Sequence, residues 1–239
     1  MTVAETLLDV RDLEAGYGKK TVLQGVSFRV GEGEIVALLG HNGAGKSTTL
    51  KTLLGLLPAR AGSVRFGGQE WANGDPAANV KRGLALVPQG RGVFPDLSVA
   101  DNLMLGAYTQ GDRVGAQERM GEILDLFPIL AERRAQRVGT MSGGQQQMVA
   151  VGTALMQRPR LMMMDEPSIG LAPVLVQRVL ETVVQINRRF GTAIVLVEQN
   201  IKTALGMASR AYVMKSGRIV LEKPAAELLA AQDSWWELY

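Results

Sequence analysis

Residues 34–50 read EIVALLGHNGAGKSTTL, and the order of features within them sets the fold. Ile35 to Leu39 is an unbroken apolar run, the pattern of a strand covered on both faces, as in a parallel sheet flanked by helices. Glycines 40, 43 and 45 follow, and a backbone relieved of Cβ atoms at those positions can curl tightly enough to turn its N–H groups inward. A helix is then expected to open at Ser47 and to close at Pro58. Strand, glycine loop and helix N-terminus together make a phosphate cradle, because the inward N–H groups and the positive helix end both favour an anion. The pattern G-x-x-x-x-G-K-[ST] in that setting predicts nucleotide binding by Gly40, His41, Asn42, Gly43, Ala44, Gly45, Lys46, Ser47 and Thr48. Lys46 would reach the β- and γ-phosphates, and Ser47 would offer its hydroxyl to Mg²⁺.

An acidic counterpart lies at 161–167, LMMMDEP. A buried strand there would deliver Asp165 near the magnesium and Glu166 beside an attacking water. Two adjacent carboxylates at the end of an apolar strand are costly to bury unless a cation or a water uses them. Alone, the stretch reads as a strand ending in an acidic turn; joined to the phosphate loop, it reads as part of one site. A third stretch, MSGGQQQ at 141–147, places Ser142 as the cap of a helix whose first turn is glycine-rich. Its exposed N–H groups suit a second anion, for another molecule, although an ordinary capped helix fits as well. Finally, AIVLVEQN at 193–200 sets Glu198, Gln199 and Asn200 at the end of a further buried strand, where α/β enzymes keep working residues.

The remainder of the chain is consistent with a soluble α/β protein. Apolar residues make up 46% and charged residues 21% of 239 positions, and runs such as IVALL and LMMM are far too short to cross a bilayer. The first residues carry no basic segment followed by a long apolar stretch, so no signal peptide is expected. The absence of cysteine excludes a disulfide framework and thiol chemistry. With 26 basic against 23 acidic residues and no concentrated basic stripe, nucleic acid is not an expected partner. The first 35 residues alternate apolar and polar with glycine turns, predicting antiparallel strands. GLALVPQG, RLMMMDEP and TAIVLVEQ predict further buried strands. Between about Gln89 and Pro159 the pattern turns helical, with Ser98 and Ser142 as N-caps, and a helix over 173–190 should open on Pro173 and stop at Gly191. The Met162–Met164 run reads as core packing.

Together, GHNGAGKST, MSGGQ and LMMMDEP, in this order and spacing, resemble the ATP-binding subunit of ABC transporters over about residues 7–223. The resemblance implies an α/β fold with a P-loop NTPase (RecA-like) core, an N-terminal antiparallel β-subdomain and an inserted α-helical subdomain. It implies a single domain over 1–239: core at about 1–90 and 157–223, helical subdomain at about 91–156, and a tail at 224–239. It implies ATP and Mg²⁺ as ligands, with Tyr17 stacking on adenine, Ser47, Gln89 and Asp165 at the metal, and Glu166 as general base. Ser142, Gly143, Gly144 and Gln145 would then contact the nucleotide of a partner ATPase subunit, since such domains close head to tail over two ATP molecules.

Two positions depart from the family pattern. Ala172 in SIGLA stands where most relatives have Asp, and Gln199 stands where most have a histidine touching the γ-phosphate. The one histidine of the chain, His41, lies within the phosphate loop and reads as a partly exposed loop position. Gln199 can donate an amide hydrogen bond to a phosphate oxygen but cannot titrate. SIGLAP, LVEQN and GRGVFPDLSVADNL resemble one of the two ATPases of branched-chain amino-acid importers, a group that includes urea and short-amide importers, and the Gln of VPQGR is more frequent in the urea branch. That resemblance implies two permease subunits, a periplasmic or lipid-anchored solute-binding protein, a second ATPase subunit as heterodimer partner (a homodimer being the alternative), and a peripheral location on the cytoplasmic face of the inner membrane. A catalytically weakened, structural nucleotide-binding subunit is the competing reading that Ala172 and Gln199 raise. The tail residues Trp235 and Trp236 are expected to pack on their own domain.

Overall fold

The computed structural model describes residues 5–231 apart from positions 91, 110 and 172. Strands β1 (Thr6–Tyr17) and β2 (Lys20–Gly31) pair antiparallel, as their alternation requires. They are followed by β3 (Ile35–Leu39) and α1 (Lys46–Leu54). The helix ends about one turn before Pro58, because Gly55 takes a left-handed backbone (φ 92°) and closes the last turn with its N–H. Next come β4 (Ala59–Phe66), β5 (Gln69–Glu70), α2 (Pro76–Lys81) and β6 (Leu84–Val87). Then the described residues form only helices: α3 (Val99–Gly106), α4 (Arg113–Leu126), α5 (Pro128–Glu132), a 3₁₀ turn (Val138–Thr140) and α6 (Gly143–Leu155). Ser98 and Ser142 cap α3 and α6 as expected, the latter in a capping box with Gln145. The chain continues through β7 (Leu161–Asp165), α7 (Pro173–Phe190), β8 (Ala193–Val197), α8 (Ile201–Met207), β9 (Arg210–Lys215), β10 (Arg218–Pro224) and α9 (Ala225–Ala230). The segment after Pro224, expected only as a tail, opens with α9, whose Ala225 and Leu228 are buried.

Two sheets result, one antiparallel in the order β2-β1-β4-β5 and one in the order β10-β9-β3-β8-β7-β6. The second is parallel from β9 to β6, with β10 added antiparallel at its edge. Strands β3, β8 and β6, and β7 up to Asp165, are apolar throughout because each face has its own core. Ile35, Ala37, Leu39, Met162 and Met164 pack with helices such as α6 and α7, whereas Val36, Leu38, Leu161 and Met163 pack with α1 and the antiparallel sheet. A strand with period-two alternation would expose one of these cores. The methionines 162–164 are fully buried core residues. Strand β8 lies between β3 and β7, so the carboxyl ends of the phosphate-loop strand and the acidic strand flank it along one sheet edge. Open α/β sheets bind ligands at that edge.

Candidate active site

At this edge lies a pocket of about 660 Å³. Its walls come from the loop after β3 (Asn42, Gly43, Gly45, Lys46, Ser47, Thr48), from the β1–β2 hairpin (Tyr17, Lys20, Thr21, Val22, Gln24), and from Gln89, Glu166, Gln199 and Ser216. Tyr17 stands at the mouth, half exposed.

Backbone geometry dominates the phosphate loop. A Cβ on Gly40 would fall 2.4 Å from the Met214 carbonyl oxygen on β9, so no other residue fits. Gly45 is the N-cap of α1 at φ 113°, and no side chain caps this helix. Its first-turn N–H groups are therefore left for a ligand, with the positive helix end behind them. Lys46, only 5% exposed, donates to the carbonyl oxygens of Gly40 (2.7 Å) and His41 (3.1 Å), which ties the ammonium to the loop it serves. Burial lowers its pKa, while Glu166 and Asp165 act to raise it. The His41 side chain is exposed, and Ala44 is buried beneath the loop.

The acidic half comes from the ends of β7 and β8. Asp165 is the last residue of β7 and accepts the Ser47 hydroxyl proton at 3.0 Å. Burial raises its pKa, and the Ser47 hydrogen bond, Lys51 and Lys46 act against that. Glu166 follows in a left-handed backbone conformation (φ 49°), which costs a non-glycine residue about 1–3 kcal/mol unless its surroundings enforce it. Gln89 and Gln199 each donate an amide N–H to Glu166 Oε2 at 2.9 Å, and among the described residues Oε1 accepts no hydrogen bond. Gln89 thus spends its nitrogen on Glu166, leaving its carbonyl oxygen available. Ser47, Asp165 and Gln89 offer hard oxygen donors, which suit Mg²⁺. No group of three or more His, Cys, Asp or Glu is arranged for a metal among the described residues.

The polar run after β8 divides its work. Asn200 caps α8 by accepting the Thr203 N–H, Gln199 enters the pocket, and Glu198 turns to the loop after Glu166, where it accepts hydrogen bonds from Ser168. Sequence reasoning placed Glu198 at a working strand end but missed its partner Ser168, 30 residues away. It also missed Lys20, Thr21, Val22, Gln24 and Ser216, which no local pattern marks. Ser142, Gly143, Gly144 and Gln145 do not line the pocket of their own chain, and Gln145 accepts the Ser142 N–H within the cap.

A family model described as "ABC transporter" matches residues 23–169. The chain belongs to the ABC transporter family. It is an ATP-binding ABC ATPase, and its relatives agree. It is 48% identical over 213 residues to the high-affinity branched-chain amino acid transport ATP-binding protein BraG of Pseudomonas aeruginosa, covering 89% of this chain and 91% of that one. It is 36% identical over 217 residues to the probable branched-chain amino acid transport ATP-binding protein LivF of Archaeoglobus fulgidus, covering 91% and 92%. A solved ATP-binding cassette of an ABC transporter in its ADP conformation superposes with a TM-score of 0.85 at 26% identity, covering 96% of each chain. Among the described residues of this ABC chain, no helix is long and apolar enough to cross a membrane. Ala172, Trp235 and Trp236 lie outside the described residues.

Proposed function

We propose that this chain is the ATP-binding and ATP-hydrolysing subunit of a branched-chain amino-acid importer, acting from the cytoplasmic face of the membrane on two permease subunits fed by a solute-binding protein. One observation carries the enzymatic reading: Lys46, Ser47 and the Gln89–Glu166–Gln199 cluster line a single pocket at an uncapped helix N-terminus, with Asp165 hydrogen-bonded to Ser47 from outside that lining. The names of the two relatives support the solute class. The chain is a single ABC ATPase domain with its helical subdomain at about 91–156 and a second, different ATPase subunit as partner.

Each residue has a role that its position supports. The adenine stacks on Tyr17, and the loop N–H groups with Lys46 hold the phosphates. Ser47, Asp165 and Gln89 would hold Mg²⁺, which supplies charge neutralisation at the β- and γ-phosphate oxygens. Glu166 takes a proton from the attacking water at Oε1, the oxygen its two glutamine neighbours leave open. The water oxygen bonds to the γ-phosphorus as the bond to the β–γ bridging oxygen breaks, releasing ADP and phosphate. Gln199 donates its amide N–H to a γ-phosphate oxygen. Ser142, Gly143, Gly144 and Gln145, being outside their own pocket, face the nucleotide of the partner subunit.

The test is reconstitution of the transporter with its permeases, second ATPase and solute-binding protein in vesicles. Leucine, isoleucine or valine should stimulate phosphate release. Stimulation by urea or a short amide alone would transfer the solute assignment, and turnover carried wholly by the other ATPase would reduce this chain to a structural subunit.

A further inference from the structure

We infer that Glu198 is a positioning residue for hydrolysis: its buried carboxylate clamps the turn that carries Glu166 to the strand end that carries Gln199. This rests on the reading of Glu166 as general base. Glu198 is only 3% exposed. Its Oε1 accepts the Ser168 N–H at 3.0 Å, and its Oε2 accepts the Ser168 hydroxyl at 2.7 Å and the Gln199 N–H at 3.2 Å. Among the described residues no lysine or arginine pairs with it. Burial therefore pushes its carboxyl up, a tendency the nearby Glu166 adds to and the hydrogen bonds from Ser168 and Gln199 oppose. A carboxylate kept in such a place without a cation is expensive, and its contacts show what it achieves.

Those contacts close a ring around Glu166. The Glu166 N–H is tied to Val197 O at 2.9 Å, and its carbonyl closes a turn with the Ile169 N–H at 3.1 Å. On the far side of Pro167, Ser168 is held by Glu198 through both its backbone and its side chain. The strand end thus grips the chain before and after the residue with the left-handed backbone. A strained conformation persists only where its neighbours over-determine it. The same carboxylate accepts from Gln199, whose side chain donates to Glu166 Oε2. Glu198 does not itself line the pocket, so it acts through Ser168, Glu166 and Gln199.

An amide cannot replace this carboxylate. In either orientation of Glu198→Gln, the new NH₂ faces a backbone N–H, of Ser168 or of Gln199, and that donor loses its acceptor. The experiment measures ATP hydrolysis in the assembled transporter for wild type, Glu198→Gln, Ser168→Ala, Ser168→Thr and the double variant Glu198→Gln/Ser168→Ala, with ATP binding and thermal unfolding alongside. Glu198→Gln should lower kcat by about tenfold to a hundredfold, the scale of a small misplacement of reacting groups, with KM and ATP affinity unchanged. Ser168→Ala should lower kcat in the same direction by less, and Ser168→Thr, which keeps the hydroxyl, should restore it. The double variant should be no slower than Glu198→Gln alone, since both remove one clamp. Wild-type kcat in Glu198→Gln, or effects that multiply in the double variant, would overturn the inference. A lowered unfolding midpoint with kcat unchanged would do the same, by showing a purely structural role. Should Glu198→Gln fail to fold, Ser168→Ala turning over like wild type is enough to overturn it. Glu166→Gln in the same series separates the two readings: if that variant keeps wild-type turnover, the assignment of Glu166 fails first.

Discussion

The two halves of the pocket are built on opposite principles. The phosphate loop is shaped by backbone: Gly40 fits where a Cβ would strike Met214, Gly45 leaves a helix end uncapped, and Lys46 is held by carbonyl oxygens five and six residues before it. The ends of β7 and β8 work with side chains that are far apart in sequence: Glu166 is met by Gln89, 77 residues earlier, and by Gln199, 33 residues later, while Glu198 holds Ser168 across 30. A backbone cradle is local, preorganised by the strand before it and the helix after it, and tolerates little variation. A side-chain cluster depends on sheet register, because its members come from strand ends and loops far apart in sequence. The proposed function assigns binding to the first region and the chemical step to the second, a division that mutants can test.

The largest effect is expected in the second region. Glu166→Gln keeps shape but removes the base, and turnover should fall by about two to four orders of magnitude with ATP affinity retained; phosphate release and equilibrium binding measured together decide it, and loss of both would erase the contrast. Next comes the cradle. Lys46→Ala deletes a charge-assisted donor, so ATP binding itself should weaken by about a hundredfold, read by titration with a fluorescent nucleotide.

A smaller effect sharpens the side-chain half. Gln199→Ala should cost about ten- to a hundredfold in kcat if its bond to the γ-phosphate strengthens in the transition state. Gln199→His should remain active and acquire a pH dependence near neutrality, because imidazole titrates there and an amide does not. Profiles from about pH 5.5 to 8.5 for all three proteins check this; an alanine variant as fast as wild type would make Gln199 a bystander.

The smallest effect is expected in a buried cluster away from both halves. Tyr212 donates to Glu222 and its phenol is pushed up to about 12, chiefly by burial. A tyrosine in the unfolded chain ionises near pH 10, so this group's contribution to stability is intact below that value and is lost as pH rises towards 12. Tyr212→Phe should flatten that alkaline slope in denaturant titrations while leaving ATP hydrolysis unchanged.

How far the sequence could be read follows the same division. Apolar continuity announced β3, β7 and β8, because a strand buried on both faces cannot alternate. The caps at Ser98 and Ser142 and the left-handed stop at Gly191 were visible because caps and stops are made by residues next to one another. The end of α1 was placed too late because Gly55 outweighed the apolar pattern running on to Pro58. Short edge elements such as β5 and α2 carried too few residues to show a period.

What the sequence alone determined is the phosphate loop with its strand and helix, since the glycines, the lysine and the helix start that shape it are consecutive in the chain, although Met214 and Asp165 close on it from distant strands. It also determined which residue types stand at the ends of β7 and β8. Only the tertiary structure decided what those residues do. Sheet order sets β8 between β3 and β7, so that Asp165 meets Ser47 and two glutamines share one oxygen of Glu166. Within three consecutive residues it sends Glu198 to the turn, Gln199 to the pocket and Asn200 to a helix cap. These assignments rest on neighbours brought together by the parallel register, and no local pattern in a chain encodes which distant segment will lie alongside it.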